Sequence, residues 1–356
     1  MRVFNWKEKL LNKKIIIWGA SIGGKQVYDL LARNDLRVEA YCDNNKQENS
    51  YLGKPVIRPA ALQQMIEHND DYSIIIASLA FEVIYGQIKS LGIGCDVYVY
   101  LLYNPCNLKS GEIPYTESEK QEIYSLYAGE TYTTQLLDLI LQDGFLNTDA
   151  LGNISKYTGF GGVDAYYYDD IVKMMPGMFT LFDVGSYTGD SILQIKGVFQ
   201  NRILKVFGFE PNKENIKEIE RKIVERMIDD LTLYEVALGE KNGYECFEEA
   251  GPFFRRSENQ AGVLIKTSRL DDFKLDIVGN VILKIDIEGS EMNCLKGAEN
   301  FIRKIKPYIA VCVYHREKDI LSIPKYLKSL VPEYCFMLRG GMHTVCYAFP
   351  GENSAK

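Results

Sequence analysis

Three carboxylates crowd the segment Asp286-Ile287-Glu288-Gly289-Ser290-Glu291, which closes the apolar run Val281 to Ile287. Asp286 and Glu288 are two apart, so on a continuing strand they point to one face. Glu288 and Glu291 are three apart and share a face once a helix has begun. Grouped carboxylates of this kind can take a proton from a weak nucleophile or hold a divalent cation. Asp286 ends a strand that reads as buried, where an unpaired carboxylate is costly, so a ligand, a metal or a fixed partner is expected. Glu288 and Glu291 fit equally well as favourable charge at a helix N-terminus, worth ~0.3–1 kcal/mol each. His315 ends the next apolar run, Tyr308 to Tyr314. It serves there as a hydrogen-bonded structural residue, as a base, or as a metal ligand with Asp286. His343 lies in the turn Arg339 to His343 near the same edge, and His68 sits in a polar helix end and reads as solvated.

The elements that position these groups are organised around Met178 to Asp190. An apolar strand ends in Asp183, a turn follows through Gly185, Ser186, Tyr187, Gly189 and Asp190, and helical periodicity resumes at Ser191. Gly185 and Gly189 carry no Cβ and let the backbone approach a ligand. The helix behind them turns its N-terminal dipole toward that ligand. The strand Leu204 to Phe209 runs into Glu210-Pro211-Asn212. A carboxylate at that strand end can accept from both ribose hydroxyls of a nucleotide. A helix over Lys213 to Arg226 and a strand over Leu231 to Ala237 come next, and the small apolar pair Ala237-Leu238 suits an adenine face. After Tyr308 to Tyr314 come a helix, Ile323 to Leu330, and strands Tyr334 to Leu338 and Thr344 to Phe349, joined as a hairpin.

The N-terminal part repeats the alternation of strand and helix without repeating the sequence. Lys14 to Gly19 reads as a strand entering Gly19-Ala20-Ser21-Ile22-Gly23-Gly24, with helix from Lys25. Arg37 to Cys42 is a second strand ending at Asp43, where a ribose-binding acid belongs. Ser21 takes the place of the second glycine of the dinucleotide pattern. Gly19, Ser21, Gly23 and Asp43 are therefore nucleotide-binding candidates, against the alternative of a domain with no cofactor. The chain divides on this reading into a Rossmann-like domain (1–103), a helical connector (104–177) and a second α/β domain (178–356). Within the connector, Asn104 to Tyr115 reads as linker and Gly152 to Gly162 as a loop. Tyr166-Tyr167-Tyr168 reads either as a roof over a ligand or as packing. Glu249 to Ala261 reads as a loop in which Phe253-Phe254 and Arg255-Arg256 either hold a glycan ring and a phosphate or merely pack.

Composition narrows the class. The 356 residues are 46% hydrophobic and 25% charged, as in a soluble globular protein, and the length favours two domains. A net charge of −7 argues against a nucleic-acid partner. The eight cysteines form no Cys-x-x-Cys pair, and most lie in apolar runs. With no signal peptide and no run of ~18 apolar residues, a cytoplasmic protein without a membrane span is expected.

The ordered blocks Phe182 to Asp190, Phe209 to Asn212, Ala237 to Gly239, Leu270 to Phe273 and Lys284 to Glu291 resemble the FkbM-type methyltransferases, over about residues 166 to 348. That resemblance implies a class I methyltransferase fold, a doubly wound sheet ending in an antiparallel hairpin. It implies S-adenosylmethionine as cofactor, held by Asp183, Gly185, Ser186, Tyr187, Gly189, Asp190, Glu210, Pro211, Asn212, Ala237 and Leu238. Tyr187 stands where many class I enzymes have glycine. The expected activity is O-methylation of a sugar hydroxyl in bacterial surface-glycan or glycolipid synthesis, with Asp286, Glu288, Glu291 and His315 as the catalytic group. A divalent metal on Asp286 and His315 stays open. The blocks Gly19-Ala20-Ser21, Asp43-Asn44-Asn45, Gly53 to Ile57 and Ile74 to Ser78 are similar to the N-terminal domain of bacterial sugar O-acyltransferases. They carry the competing expectation of a nucleotide-sugar-binding or NAD(P)-dependent protein working through its N-terminal domain.

Overall fold

The structure is a computed structural model that describes residues 6–66, 71–78, 80–100, 115–127, 129–141, 145–147, 166, 168–175, 177–226, 230–250, 253–257, 262–340 and 344–351. His68, His343, Tyr167, the Gly152–Gly162 stretch and most of the Asn104–Tyr115 linker lie outside the described residues. The chain forms two compact units: Met1–Tyr115 with Thr134–Phe160, and Thr116–Thr133 with Gly161–Lys356. The stretch read as a connector is thus divided between them.

In the first unit, seven strands form one sheet: β1 (Lys14–Trp18), β2 (Val38–Cys42), β3 (Ser50–Tyr51), β4 (Lys54–Ile57), β5 (Tyr72–Ile76), β6 (Asp96–Tyr100) and β7 (Phe145–Asn147), in the order β3-β4-β2-β1-β5-β6-β7. The four central pairings, β4 through β6, are parallel, and only the outermost strands, β3 and β7, run antiparallel to their neighbours. The run Ile15, Ile16, Ile17 is wholly buried, as a strand covered on both faces must be. The helix after β1, Ile22–Arg33, packs Val27, Leu30 and Leu31 against Ile15, Ile17 and Ile75.

The second unit holds β8 (Phe179–Val184), β9 (Ile203–Phe209), β10 (Leu231–Tyr234), β11 (Ala237–Leu238), β12 (Gly243–Ala250), β13 (Phe253–Arg256), β14 (Val263–Ser268), β15 (Asn280–Ile285), β16 (Tyr308–Cys312), β17 (Cys335–Arg339) and β18 (Val345–Phe349). Seven of them form the main sheet, in the order β10-β9-β8-β15-β16-β18-β17. All its pairings are parallel except those of β18, which is antiparallel to both neighbours. This is the doubly wound sheet with terminal hairpin that the resemblance implies. The order in which successive strands are laid down reverses between the parallel neighbours β8 and β15, and ligands of open α/β sheets bind at the strand ends beside such a reversal. Phe179, Leu181, Val206, Ile282 and Tyr347 build one side of the core with Ile192, Ile195 and Phe199 of the helix Asp190–Phe199.

Two expectations are corrected here. The strand read as Leu231 to Ala237 stops at Tyr234, and Ala237–Leu238 leaves the main sheet to pair with Thr267–Ser268. The stretch read as a loop over Glu249 to Ala261 instead contains the end of β12 and all of β13, which pair antiparallel in a four-stranded sheet ordered β11-β14-β12-β13. Alternation of exposed and buried residues along Val263–Ser268 is the half-buried pattern of such a sheet.

Candidate active site

The turn after β8 is tied down from beneath. Asp183 is fully buried, with Oδ1 3.0 Å from Lys284 Nζ and Oδ2 accepting from Ser191 Oγ at 2.9 Å. Lys284 also donates to the Gly185 carbonyl at 2.8 Å. Burial opposes the charge on Lys284, but the carboxylates of Asp183 and Asp286 outweigh it and hold the ammonium above its ordinary range. Asp183, expected at the cofactor, has its carboxylate turned inward to Lys284 and Ser191, where it braces the turn. The sequence signal for this pair was a lone lysine inside the apolar strand Asn280–Ile285, and it was missed.

The turn itself runs through left-handed backbone. Gly185 has φ 78° and Gly189 φ 79°. A Cβ on Gly185 would lie 1.9 Å from the Asp286 carbonyl oxygen, so only glycine fits. Tyr187 has φ 46°, which explains why glycine is common at that place in the fold. Its amide donates to Glu210 Oε2 at 3.0 Å. Glu210 Oε1 accepts from the Asn212 amide and from Asn215 Nδ2, at 3.0 and 3.1 Å. Glu210 is 6% exposed, and burial pushes its carboxyl up. Ser186 donates to the Asp183 carbonyl, Pro211 follows Glu210 at the strand end, and the Asn212 side chain accepts from the Glu214 amide. Asp190 opens the helix behind the turn. A left-handed turn with glycine at both ends beside a strand-end carboxylate has the features that a nucleoside cofactor needs. Ala237 and Leu238 sit in the smaller sheet, and Leu238 is buried.

Asp286, Glu288, Glu291 and His315 do come together. Asp286 follows β15 directly beside Gly185. The Tyr166 hydroxyl donates to its Oδ2 in a short contact, and the Tyr314 hydroxyl donates to Oδ1 at 3.4 Å. His315 Nε2 lies 3.7 Å from Asp286 Oδ1 and 3.7 Å from Glu288 Oε2, while Nδ1 lies 2.8 Å from Glu291 Oε1. That Glu291 oxygen also accepts from the amides of Ile287 and Gly289, at 3.0 and 3.3 Å. Glu288 has φ 55° and Gly289 φ 94°, so Glu291 holds a strained turn in place. Burial works against charge on both Asp286 and His315. Lys284 and His315 nevertheless bring the Asp286 carboxyl below its usual range, and Glu291, Asp286 and Glu288 raise His315 to about 9. Tyr166, read as a roof or as packing, instead reaches Asp286 and lies under Lys284, whose Nζ is 5.2 Å from the ring centroid.

In the first unit, the candidate nucleotide site is spent on its own backbone. Asp43 Oδ2 accepts from the Ala20 amide, and Oδ1 accepts from the amides of Asn45 and Lys46, at 2.8 to 2.9 Å. Gly19 has φ 123°, Ser21 precedes the helix without a side-chain cap bond, and Gly23 is buried within that helix. The carboxylate that was expected to bind a ribose is therefore a turn brace. The side chains of Phe253, Phe254 and Arg255 lie outside the described residues, and Arg256 pairs with Glu245 at 2.5 Å.

Residues 183–334 match the family described as "Methyltransferase FkbM domain", and residues 11–96 match one described as "C2185-like, N-terminal". A crystal structure of a methyltransferase FkbM from Methylobacillus flagellatus KT aligns with a TM-score of 0.61 at 18% identity, covering 97% of this chain and 93% of that one. A putative methyltransferase from Streptococcus mutans, in complex with SAH, aligns more weakly, with a TM-score of 0.33 at 12% identity over 51% of this chain and 93% of that one. No curated protein matches the sequence. The main sheet of the second unit thus has the class I methyltransferase fold. Within that fold, residues 183–334 are similar to the FkbM methyltransferase domain.

Proposed function

We propose that the protein is an O-methyltransferase that moves the methyl group of S-adenosylmethionine to a sugar hydroxyl, in the synthesis of a bacterial surface glycan or glycolipid. One observation carries the reading: Asp286 stands at the sheet reversal, its carbonyl against Gly185 and its carboxylate held by Tyr166 and Tyr314. Gly185, Ser186, Tyr187 and Gly189 would line the cofactor, with Glu210 at the ribose. The cofactor supplies an electrophilic methyl on a sulfonium. The chain's own task is to align a hydroxyl with it and to take the proton. A hydroxyl oxygen becomes strongly acidic as it bonds to the methyl carbon. A low-pKa carboxylate such as Asp286 then suffices as acceptor, and His315 beside it balances the charge. The sugar acceptor and its pathway rest on the resemblance of the sequence blocks.

We place the reaction in the cytoplasm. All seven cysteines among the described residues are free, and none of the described helices is long and apolar enough to cross a membrane. Calorimetric titration with S-adenosylmethionine, followed by labelled methyl transfer to a panel of glycosides, tests the reading. Asp286→Asn should cut turnover by about 10²–10⁴-fold while leaving cofactor affinity within about threefold. Failure to bind the cofactor at millimolar concentration sinks the proposal, and methylation of a nitrogen acceptor alone sinks the O-methyl part.

A further inference from the structure

The two ring nitrogens of His315 are served differently. Its side chain is 3% exposed, and neither ring nitrogen makes a hydrogen bond of good geometry, so the two differ in the carboxylates that lie nearest. Nε2 points between two carboxylates, Asp286 Oδ1 and Glu288 Oε2, each 3.7 Å away. On the other side of the ring, Nδ1 meets Glu291 Oε1 at 2.8 Å. Asp286, Glu291 and His315 each offer a ligand atom within 4.8 Å of the others. Glu291 Oε1 is already engaged by two backbone amides, so Glu291 suits holding the ring better than holding an ion.

We propose that Asp286, Glu288 and His315 form a divalent-cation site, with His315 bound through Nε2 and Glu291 fixing its Nδ1–H. One imidazole and two carboxylates are a donor set for a borderline first-row ion of the Mn²⁺ kind. Ligands about 2.1 Å from a common ion lie roughly 3.0–3.4 Å apart, so the two 3.7 Å contacts of Nε2 close with shifts of a few tenths of an ångström, while the partly exposed Glu288 side chain swings farther to meet Asp286 at the ion. A carboxylate on the far nitrogen of a ligating histidine is the usual partner that sets tautomer and ring orientation. The Glu288 side chain is 24% exposed, so the site opens toward solvent and leaves coordination positions for water or for an acceptor hydroxyl. Its use in catalysis rests on the methyl-transfer reading: a hydroxyl bound to the ion gives up its proton more readily. Binding of the ion does not depend on that reading.

The test uses Mn²⁺ alone with the full chain. The electron paramagnetic resonance signal of free Mn²⁺ is followed on titration into wild type, Glu288→Gln and Glu291→Gln, with thermal melts and S-adenosylmethionine calorimetry on each. Wild type should take up about one Mn²⁺ per chain. Glu288→Gln should bind at least about tenfold more weakly at unchanged melting temperature, and Glu291→Gln about 10–100-fold more weakly. Wild type that leaves Mn²⁺ free at millimolar concentration overturns the proposal, as does equal binding by Glu288→Gln. Cofactor binding without Mn²⁺ binding defeats this site alone. Mn²⁺ binding without cofactor binding defeats only the methyl-transfer reading.

Discussion

Gly19 and Gly185 occupy equivalent places in two separate sheets. Each follows the first strand of its unit in left-handed backbone, and each lies against a carbonyl at the end of the neighbouring strand. A Cβ on Gly19 would stand 2.6 Å from the Ala77 oxygen, and one on Gly185 would stand 1.9 Å from the Asp286 oxygen. The acids that end the second strands also match: Asp43 accepts from the Ala20 amide, and Glu210 from the Tyr187 amide. Backbone and bracing acid are thus shared, and neither distinguishes the units. The difference is what the adjoining strand delivers beside the glycine. One unit offers Ala77-Ser78, and the other offers Asp286-Ile287-Glu288 with His315 behind it. On the proposed methyl-transfer reading, the chemistry lives in that substitution and not in the fold.

The largest effect should come from adding one methyl group to each glycine. Gly185→Ala and Gly19→Ala should each destabilise their unit by about 3–5 kcal/mol, but only Gly185→Ala should weaken S-adenosylmethionine binding, by about 100-fold in calorimetry. Equal loss of cofactor affinity in both would erase the distinction. Lys284→Met should cost about 3–5 kcal/mol in urea unfolding, since it leaves Asp183 buried without its counter-ion. A variant as stable as wild type would show that the pair does not brace the turn.

Asp319 gives a pH test on the same unit. Its Oδ2 has no hydrogen-bond partner, and burial, with Glu291 adding to it, pushes the carboxyl up to about 7. The unfolded chain releases this proton near the ordinary carboxylate value, while the native state keeps it until about pH 7. Stability is therefore lost as pH rises between the two values, and the penalty is complete above the higher one. Asp319→Asn should accordingly gain about 2–4 kcal/mol in thermal melts at pH near 8 and almost nothing near pH 4. A gain that is the same at both pH values would refute the raised carboxyl. The smallest effect is expected at Asp43→Asn, about 0.5–2 kcal/mol in unfolding with cofactor affinity untouched. A change in cofactor affinity there would tie the first unit to the reaction.

The sequence made most of the frame visible, because buried strands and their following helices leave strong periodic signals. The seven strands of the second unit's main sheet and the helix Lys213–Arg226 fall close to where apolar spacing puts them. It also exposed the acidic segment and His315. What it hid were contacts across long separations. Nothing local marks Tyr166 as a partner of Asp286, or Lys284 as the counter-ion of Asp183. The acids at strand ends misled for a related reason. A carboxylate that caps its own turn and one placed for a ribose have the same sequence context, and both Asp43 and Glu210 accept from amides of the turns beside them. The β12–β13 hairpin was obscured by Gly251-Pro252 and the charges around it, which read as loop.

Arg339 sets a limit on how this molecule can be cut. Its guanidinium is 2% exposed, lies 2.6 Å from Asp170 and 3.0 Å from Glu130, and donates to Thr133 Oγ1 at 3.3 Å. The same hydroxyl accepts from the Leu338 amide, and the Tyr127 hydroxyl donates to the Ile320 carbonyl. A fragment starting at residue 178 would keep the whole main sheet yet strand a buried cation and remove every one of these partners. The methyltransferase half is therefore not a cassette that recombination or cloning can lift at its first strand. Its working boundary lies upstream at residue 116, and any contiguous piece that honours it also carries residues 134–160 of the other unit.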